Sequence, residues 1–415
     1  MNARERFLEI MKFNTAVPTL KWEFGYWGET IDNWYASGLP RRNYPALPSP
    51  ADPAQTPTSH LYAPAWNSVR TGKLPSGIGV MGGGLYWPTQ GFPLDRDVKD
   101  HFGMDYRQTL VNVNLLFHPL FEPRVEYEDE ERYEYYDVDG VRRIFLKESA
   151  TIPTSIGYPI RDWESWNRIK DERLNLKDVK GRFPKDWDKL AAEYRSRDYP
   201  LAIGGYPHGF FGTLAHLMGY EELFINYYEE PELIHDILST FTDLWIAVAE
   251  EVFAHTDIDH VQIWEDISAG TGSMVAPELI RKFMIPCYKR YTDFMKARGV
   301  DLIFVDTDGY CFDLIPVFLE GGMTGMYPME THCGMDIVKV RKEFPDLRIM
   351  GGISKSEVAK GREHVDKALE PVAEVLKSGG YVPFGDHFIP PDVPWEAFRY
   401  YRERLNGLID GAAKG

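Results

Sequence analysis

At 415 residues, 44% hydrophobic and 26% charged, the chain has the composition of an ordinary globular protein, which excludes disordered and collagen-like architectures. Its 46 Lys and Arg against 63 Asp and Glu leave a formal charge of −17. Such a surface field repels phosphate backbones and anionic headgroups, so neither a nucleic acid nor a membrane is an expected partner.

The opening MNARERFLEIMKFN lacks the apolar core of a secretion signal. With three widely spaced cysteines, Cys287, Cys311 and Cys333, and no CxxC pair, a reducing, cytoplasmic setting is expected. The stretch from Leu20 to Trp27 alternates apolar and polar residues before the helical pattern TIDNWYASGLP, which predicts a strand and then a helix. From about 40 to 64, Pro, Ser and Ala accumulate with little periodicity, the mark of a surface excursion or a cover for a site. A second insertion is expected near 124–152, where Asp139-Gly140 separates two alternating aromatic or branched segments, a strong signal for a β-hairpin or meander. Ile234 to His255 is the most apolar helical stretch, but Asp236, Asp243, Glu250 and Glu251 interrupt it, so it reads as a core helix.

From about Tyr199 onward, short apolar runs alternate with helix-length segments: PLAIGGY, HVQIWEDI, DLIFVDTDG, TGMYPME, LRIMGGI and GGYVPFGDH. Continuous apolar strands separated by helices predict a parallel sheet covered on both faces. The glycine clusters Gly82-Gly83-Gly84 and Gly204-Gly205 lack the spacing of a phosphate-binding loop that an open doubly wound sheet would carry. The expected fold is therefore a closed (β/α)8 TIM barrel, residues 1–415 forming a single domain with the two insertions.

In a barrel the active site is built at the C-terminal ends of the strands. The run at Val261 ends in Glu265-Asp266, that at Leu302 in Asp306-Thr307-Asp308-Gly309, the next in Tyr327 and Glu330, and the last in Asp386-His387. Asp306 and Asp308, two apart at the end of an extended strand, point to one face. With His387, and either Glu265 or Glu330, they make a nitrogen and oxygen set that Zn²⁺ accepts. A D-x-D-G string is equally a turn whose Asp side chains cap backbone amides, and His387 is equally a core histidine. The string from His255 to His260 has ligand-like composition but lies between a helix and a strand start, the stabilising face of a barrel. Trp22, Tyr26, Tyr206, His208, Phe210 and Tyr327 are the candidate substrate-binding residues; core packing is the competing reading for such aromatics. Gly204 and Gly205 in GGYPHGF allow a bulky ligand to approach the backbone closely.

The order VQIWEDISAGTGSMVAPELIRKFMIPCYKR, IFVDTDG, LEGGMTGMYPMETHCGMDIVKVRKEFPDLRIMGGI and GGYVPFGDHFIPPDVPWEAFRYY resembles the uroporphyrinogen decarboxylase superfamily over roughly residues 200 to 410. That superfamily includes zinc- and corrinoid-dependent methyltransferases. The N-terminal region, FNTAVPTLKWEFGYWGETIDNWY, lacks the arginine cluster by which true uroporphyrinogen decarboxylases grip carboxylates, so the resemblance is to the methyltransferase branch. By motif order Asp306 and Asp308 stand where that branch carries a His-x-Cys pair, and His387 stands close to its later Cys. The harder ligands suit an oxygen or nitrogen substituent better than a thiol. The resemblance implies methyl transfer between a small O- or N-methylated substrate and a corrinoid (cobalamin) carried by a separate corrinoid-binding protein. In that reading zinc sits on Asp306, Asp308 and His387, with Glu265 or Glu330 as proton donor and Asp308 essential. The alternatives are a decarboxylase of a tetrapyrrole or other carboxylated ring, and a non-catalytic protein that binds corrinoids or related macrocycles.

Overall fold

The computed structural model describes residues 1–42, 79–81, 96–105, 109–122, 124–146 and 153–412. All six expected apolar runs form strands: Leu201–Gly204, His260–Trp264, Ile303–Asp306, Gly325–Tyr327, Arg348–Met350 and Tyr381–Val382. With Thr109–Leu110, a strand too short to stand out in the sequence, they make one seven-stranded sheet. Neighbouring strands are parallel and follow chain order from one edge to the other. Helices fill every crossover, which parallel pairing requires. The longest, Pro231–His255, starts with proline at its first turn and buries Leu233, Ile237, Leu244, Trp245, Val248 and Val252 along one stripe. None of the described helices is long and apolar enough to cross a membrane.

The N-terminal segment bonds to one edge strand and to residues that precede the other. Thr19 Oγ1 donates to the Tyr381 carbonyl at 2.7 Å. Further along, the Ile389 N–H reaches the Gly25 carbonyl at 2.9 Å, and the Asp105 N–H reaches the Lys21 carbonyl at 3.1 Å. The expected strand and helix are present as Gly25–Trp27 and Gly28–Ala36, the strand pairing with Gly79–Met81.

A separate apolar cluster lies on one face of the sheet: Trp22, Phe24, Phe304, Tyr327, Met350, Val382 and Phe384, with Phe7, Ile10 and Met11 from the helix Ala3–Met11. That helix lies at the N-terminal ends of the strands, because Arg4 bonds to both Asp257 and Asp259. Asp259 also accepts from Arg197 and from the Leu201 N–H. The ligand-like string from His255 to His260 is thus part of a structural clamp, on the face opposite the candidate site.

The second expected insertion is a four-stranded antiparallel sheet, Arg124–Glu128, Arg132–Tyr136, Arg142–Leu146 and Thr154–Gly157. Its central turn carries Asp139 and Gly140, the latter at φ +77° as a tight hairpin requires. Most of the other expected insertion, and Gly82-Gly83-Gly84, lie outside the described residues.

Candidate active site

Parallel register aligns the strand ends. Asp306 faces Trp264 on one side and Tyr327 on the other, so Glu265-Asp266, Thr307-Asp308 and Pro328 to Glu330 all leave the sheet at one level. His387 follows the last strand to the same rim, its Nε2 3.3 Å from Asp308 Oδ2. The imidazole stacks on Phe24 with ring centroids 5.1 Å apart, and Phe24 packs on Tyr327. Phe24 and Tyr327 therefore floor the site.

The acids separate into different roles. Glu265 is fully buried and points away from the rim. Its oxygens accept the N–H groups of Phe210, Phe211 and Gly212 at 3.0, 2.6 and 3.3 Å, the first amides of the helix Phe210–Met218. A carboxylate from another strand thus supplies the cap that Gly209 has no side chain to give. Burial pushes its carboxyl up to about 7, against the lowering effect of those amides. Its neighbour Asp266, on the alternate face, is the carboxyl that meets Asp308. The Asp308 N–H donates to Asp266 Oδ1 at 3.3 Å, and Trp264 Nε1 donates to Oδ2 at 2.8 Å. Burial, then the charges of Asp308 and Asp306, hold Asp266 well above the usual carboxylate range. Sequence reading passed over Asp266; the available signal was its place beside Glu265, directly after the strand His260–Trp264.

Glu330 is at the rim. Gly309 N–H donates to its Oε2 at 2.9 Å and Lys355 Nζ lies 3.4 Å from Oε1. Asp386 turns inward and holds loops together, accepting from the Thr331 N–H and hydroxyl and from the Lys355 N–H. Two non-glycine residues at this rim, Asp266 at φ +42° and Met329 at φ +62°, adopt left-handed backbone, a setting uncommon for residues with a side chain.

The aromatic candidates are mostly packing. Trp22 stacks on Phe7, and Tyr26 is edge-on to Trp34 and Phe398. Phe210 is edge-on to Trp245 and Tyr288. His208 is buried, its Nδ1 3.0 Å from the Gln262 carbonyl, and burial lowers its pKa to about 4, so it is a neutral core histidine. Tyr206 is half-buried. Its ring is edge-on to Trp264 at 4.4 Å, and its hydroxyl meets Arg143 and His216. The glycines of GGYPHGF serve the sheet and not a ligand: a Cβ on Gly204 would lie 1.9 Å from the Gln262 carbonyl oxygen, and one on Gly209 1.5 Å from that of Trp264.

Asp306, Asp308 and His387 are donors of the kinds that suit a borderline divalent cation; the structure brings Asp308 and His387 together, while the three are not among the described groups whose ligand atoms all lie within 4.8 Å of one another. Sequence reading also missed His332 and Cys333. Glu330, His332 and Cys333 offer ligand atoms all within 4.8 Å of one another; the string E-T-H-C directly after a strand was the available signal.

A parallel α/β sheet whose strand ends gather acids and a histidine over an aromatic floor defines the class. The sequence model described as Uroporphyrinogen decarboxylase (URO-D) matches residues 148–407, and the chain belongs to that family. In structure it is similar to a methyltransferase from Methanosarcina mazei, with TM-score 0.54 and 13% identity over 98% of this chain and 99% of that one. A B12-independent methionine synthase from Shewanella sp. W3-18-1 is similar with TM-score 0.40 and 11% identity, over 77% of this chain and 87% of that one. At such identities the likeness is one of fold. No curated protein matches the chain.

Proposed function

We propose that this protein is a cytoplasmic, corrinoid-dependent methyltransferase. It moves a methyl group between a small O- or N-methylated molecule and a corrinoid carried by a separate protein docked over the strand ends. In this reading the chain is a single domain in which the N-terminal segment completes the seven-stranded parallel sheet as a (β/α)8 barrel; the sheet itself is the support. The observation that carries the reading is the contact of Asp308 with His387 at the strand ends, beside Asp266 and Asp306. Fold likeness to a methyltransferase is consistent with it.

An ether or amine methyl has a poor leaving group, so negative charge developing on the departing atom must be stabilised. A zinc ion held by Asp306, Asp308 and His387 would supply that Lewis acidity. The chain's own residues position the pieces. Asp266 holds the backbone of Asp308 and is itself held by Trp264. Phe24 fixes the plane of His387, and Tyr206 and Trp264 offer an aromatic edge to a small substrate.

The test is methylation of a corrinoid protein by the wild type and by Asp308→Ala. Loss of transfer in a variant with an unchanged circular dichroism spectrum is expected, and full transfer by that variant overturns the reading. Asp266→Asn is expected to lower kcat by about 100-fold, the scale of losing one preorganising polar group. Decarboxylation of a carboxylated ring is the second reading, favoured by the family to which the chain belongs. It predicts CO₂ release without corrinoid or metal.

A further inference from the structure

The string Glu330-Thr331-His332-Cys333 places three chemically different donors on one short turn. Cys333 Sγ lies 3.4 Å from His332 Nε2 and 3.6 Å from Glu330 Oε2. Tetrahedral zinc with a sulfur ligand near 2.3 Å and nitrogen or oxygen ligands near 2.0 Å has sulfur-to-nitrogen and sulfur-to-oxygen edges of about 3.5 Å. The two edges to sulfur therefore already match a bound ion, and the third, between His332 and Glu330, is 3.9 Å and closes by about half an ångström, to about 3.3 Å, when an ion is bound.

Its surroundings fix that spacing. Thr331 to Cys333 form one turn of 3₁₀ helix ended by Gly334 in left-handed backbone. Asp386 grips Thr331 through both its N–H and its hydroxyl, at 3.0 and 2.7 Å. The Gly309 N–H anchors Glu330 Oε2, while Lys355 stands by the other oxygen, Oε1. Ligands oriented by such outer contacts bind metal with less loss of side-chain freedom. Glu330 is nearly buried and the His332 side chain is 55% exposed, so the site has a closed inner wall and an open approach.

We propose that Glu330, His332 and Cys333 form a binding site for a borderline divalent cation of the Zn²⁺ class, distinct in its ligands from the Asp306, Asp308 and His387 set. One thiolate, one imidazole and one carboxylate select against Mg²⁺ and Ca²⁺, which prefer all-oxygen cages. Three protein ligands leave a fourth position open to water or to an anionic donor on an incoming molecule. The site stands on its own geometry and not on the proposed methyl transfer.

Co²⁺ added to the full-length protein after metal removal tests it, because a thiolate bound to cobalt gives a charge-transfer absorption that oxygen and nitrogen ligands do not. The wild type is expected to show that absorption at saturating Co²⁺. Cys333→Ser is expected to lose it, and His332→Ala to require higher Co²⁺ to reach it. Asp308→Ala is expected to keep it, even where methyl transfer is lost. Zn²⁺ is expected to raise the thermal midpoint of Asp308→Ala and not that of the double variant Asp308→Ala with Cys333→Ser, whose cooperative melt also verifies that it folds. Absence of the absorption in the wild type overturns the proposal, as does its persistence in Cys333→Ser, which would move the thiolate to Cys287 or Cys311, or its loss in Asp308→Ala.

Discussion

Glu265 and Asp266 are adjacent, yet one secures a helix and the other faces a reaction site. Glu265 satisfies three amides that Gly209 cannot cap. Glu265→Ala leaves them buried without acceptors and is expected to cost about 3 kcal/mol or more in chemical denaturation, at about 1–3 kcal/mol per orphaned group. Burial pushes the Glu265 carboxyl up to about 7 from an ordinary 4.5. Between those values the folded chain keeps a proton that the unfolded chain has released, so this residue's contribution to stability is lost as pH rises through the interval. Glu265→Gln, which does not titrate, is expected to flatten the denaturation midpoint between pH 4.5 and 7; an unchanged slope would assign the dependence to other groups.

Among the elements, the antiparallel sheet is attached to the main body by a buried polar network. Arg143 bonds Asp137 at 2.6 Å, Ser155 at 3.0 Å, and both Tyr206 and His216 across the interface. His216 Nε2 in turn lies 3.1 Å from Asp139. Burial lowers the His216 pKa to about 3 and raises that of Asp139 to about 7, so near neutral pH His216 is uncharged, and Asp137 is the carboxyl that Arg143 bonds directly. Arg143→Met leaves Asp137 buried without its partner and is expected to destabilise by about 3–5 kcal/mol. Early proteolytic cleavage within 124–157 would be the readout, and resistance equal to the wild type would contradict it. The network ends on Tyr206, which packs edge-on against Trp264, the donor to Asp266, so this sheet touches the candidate site through those two rings.

For the whole molecule, the decisive contact joins the two ends of the chain. Glu23 and Arg402 are both buried and 3.2 Å apart. Glu23 also accepts from Gly385 and Tyr401, and Arg402 donates to the Trp22 carbonyl. The first segment, the last strand's exit and the helix Trp395–Ala412 meet there. Arg402→Met is expected to lower stability by about 3–5 kcal/mol in denaturant, through the uncompensated Glu23, whereas Glu23→Leu combined with Arg402→Met is expected to recover part of the loss. A double variant as unstable as the sum of the singles would show that the two residues do not act as a pair.

The sequence by itself determined the sheet and the level of its rim. Buried parallel strands are local apolar runs, and the polar residue that ends each run marks where it leaves the core, so six strands and the acids after them are legible one at a time. Tertiary structure decided what those residues face. Nothing local says that Glu265 turns to cap the helix Phe210–Met218, that Gly204 and Gly209 make room for a neighbouring strand, or that Asp308 meets His387 from a distant part of the chain. Such contacts depend on strand register and on which face each side chain takes, and both are set only when the sheet assembles. The donors Glu330, His332 and Cys333 lie between these cases: their proximity is written in four residues, but the spacing that suits a metal comes from the grip of Asp386 and Gly309 on the turn.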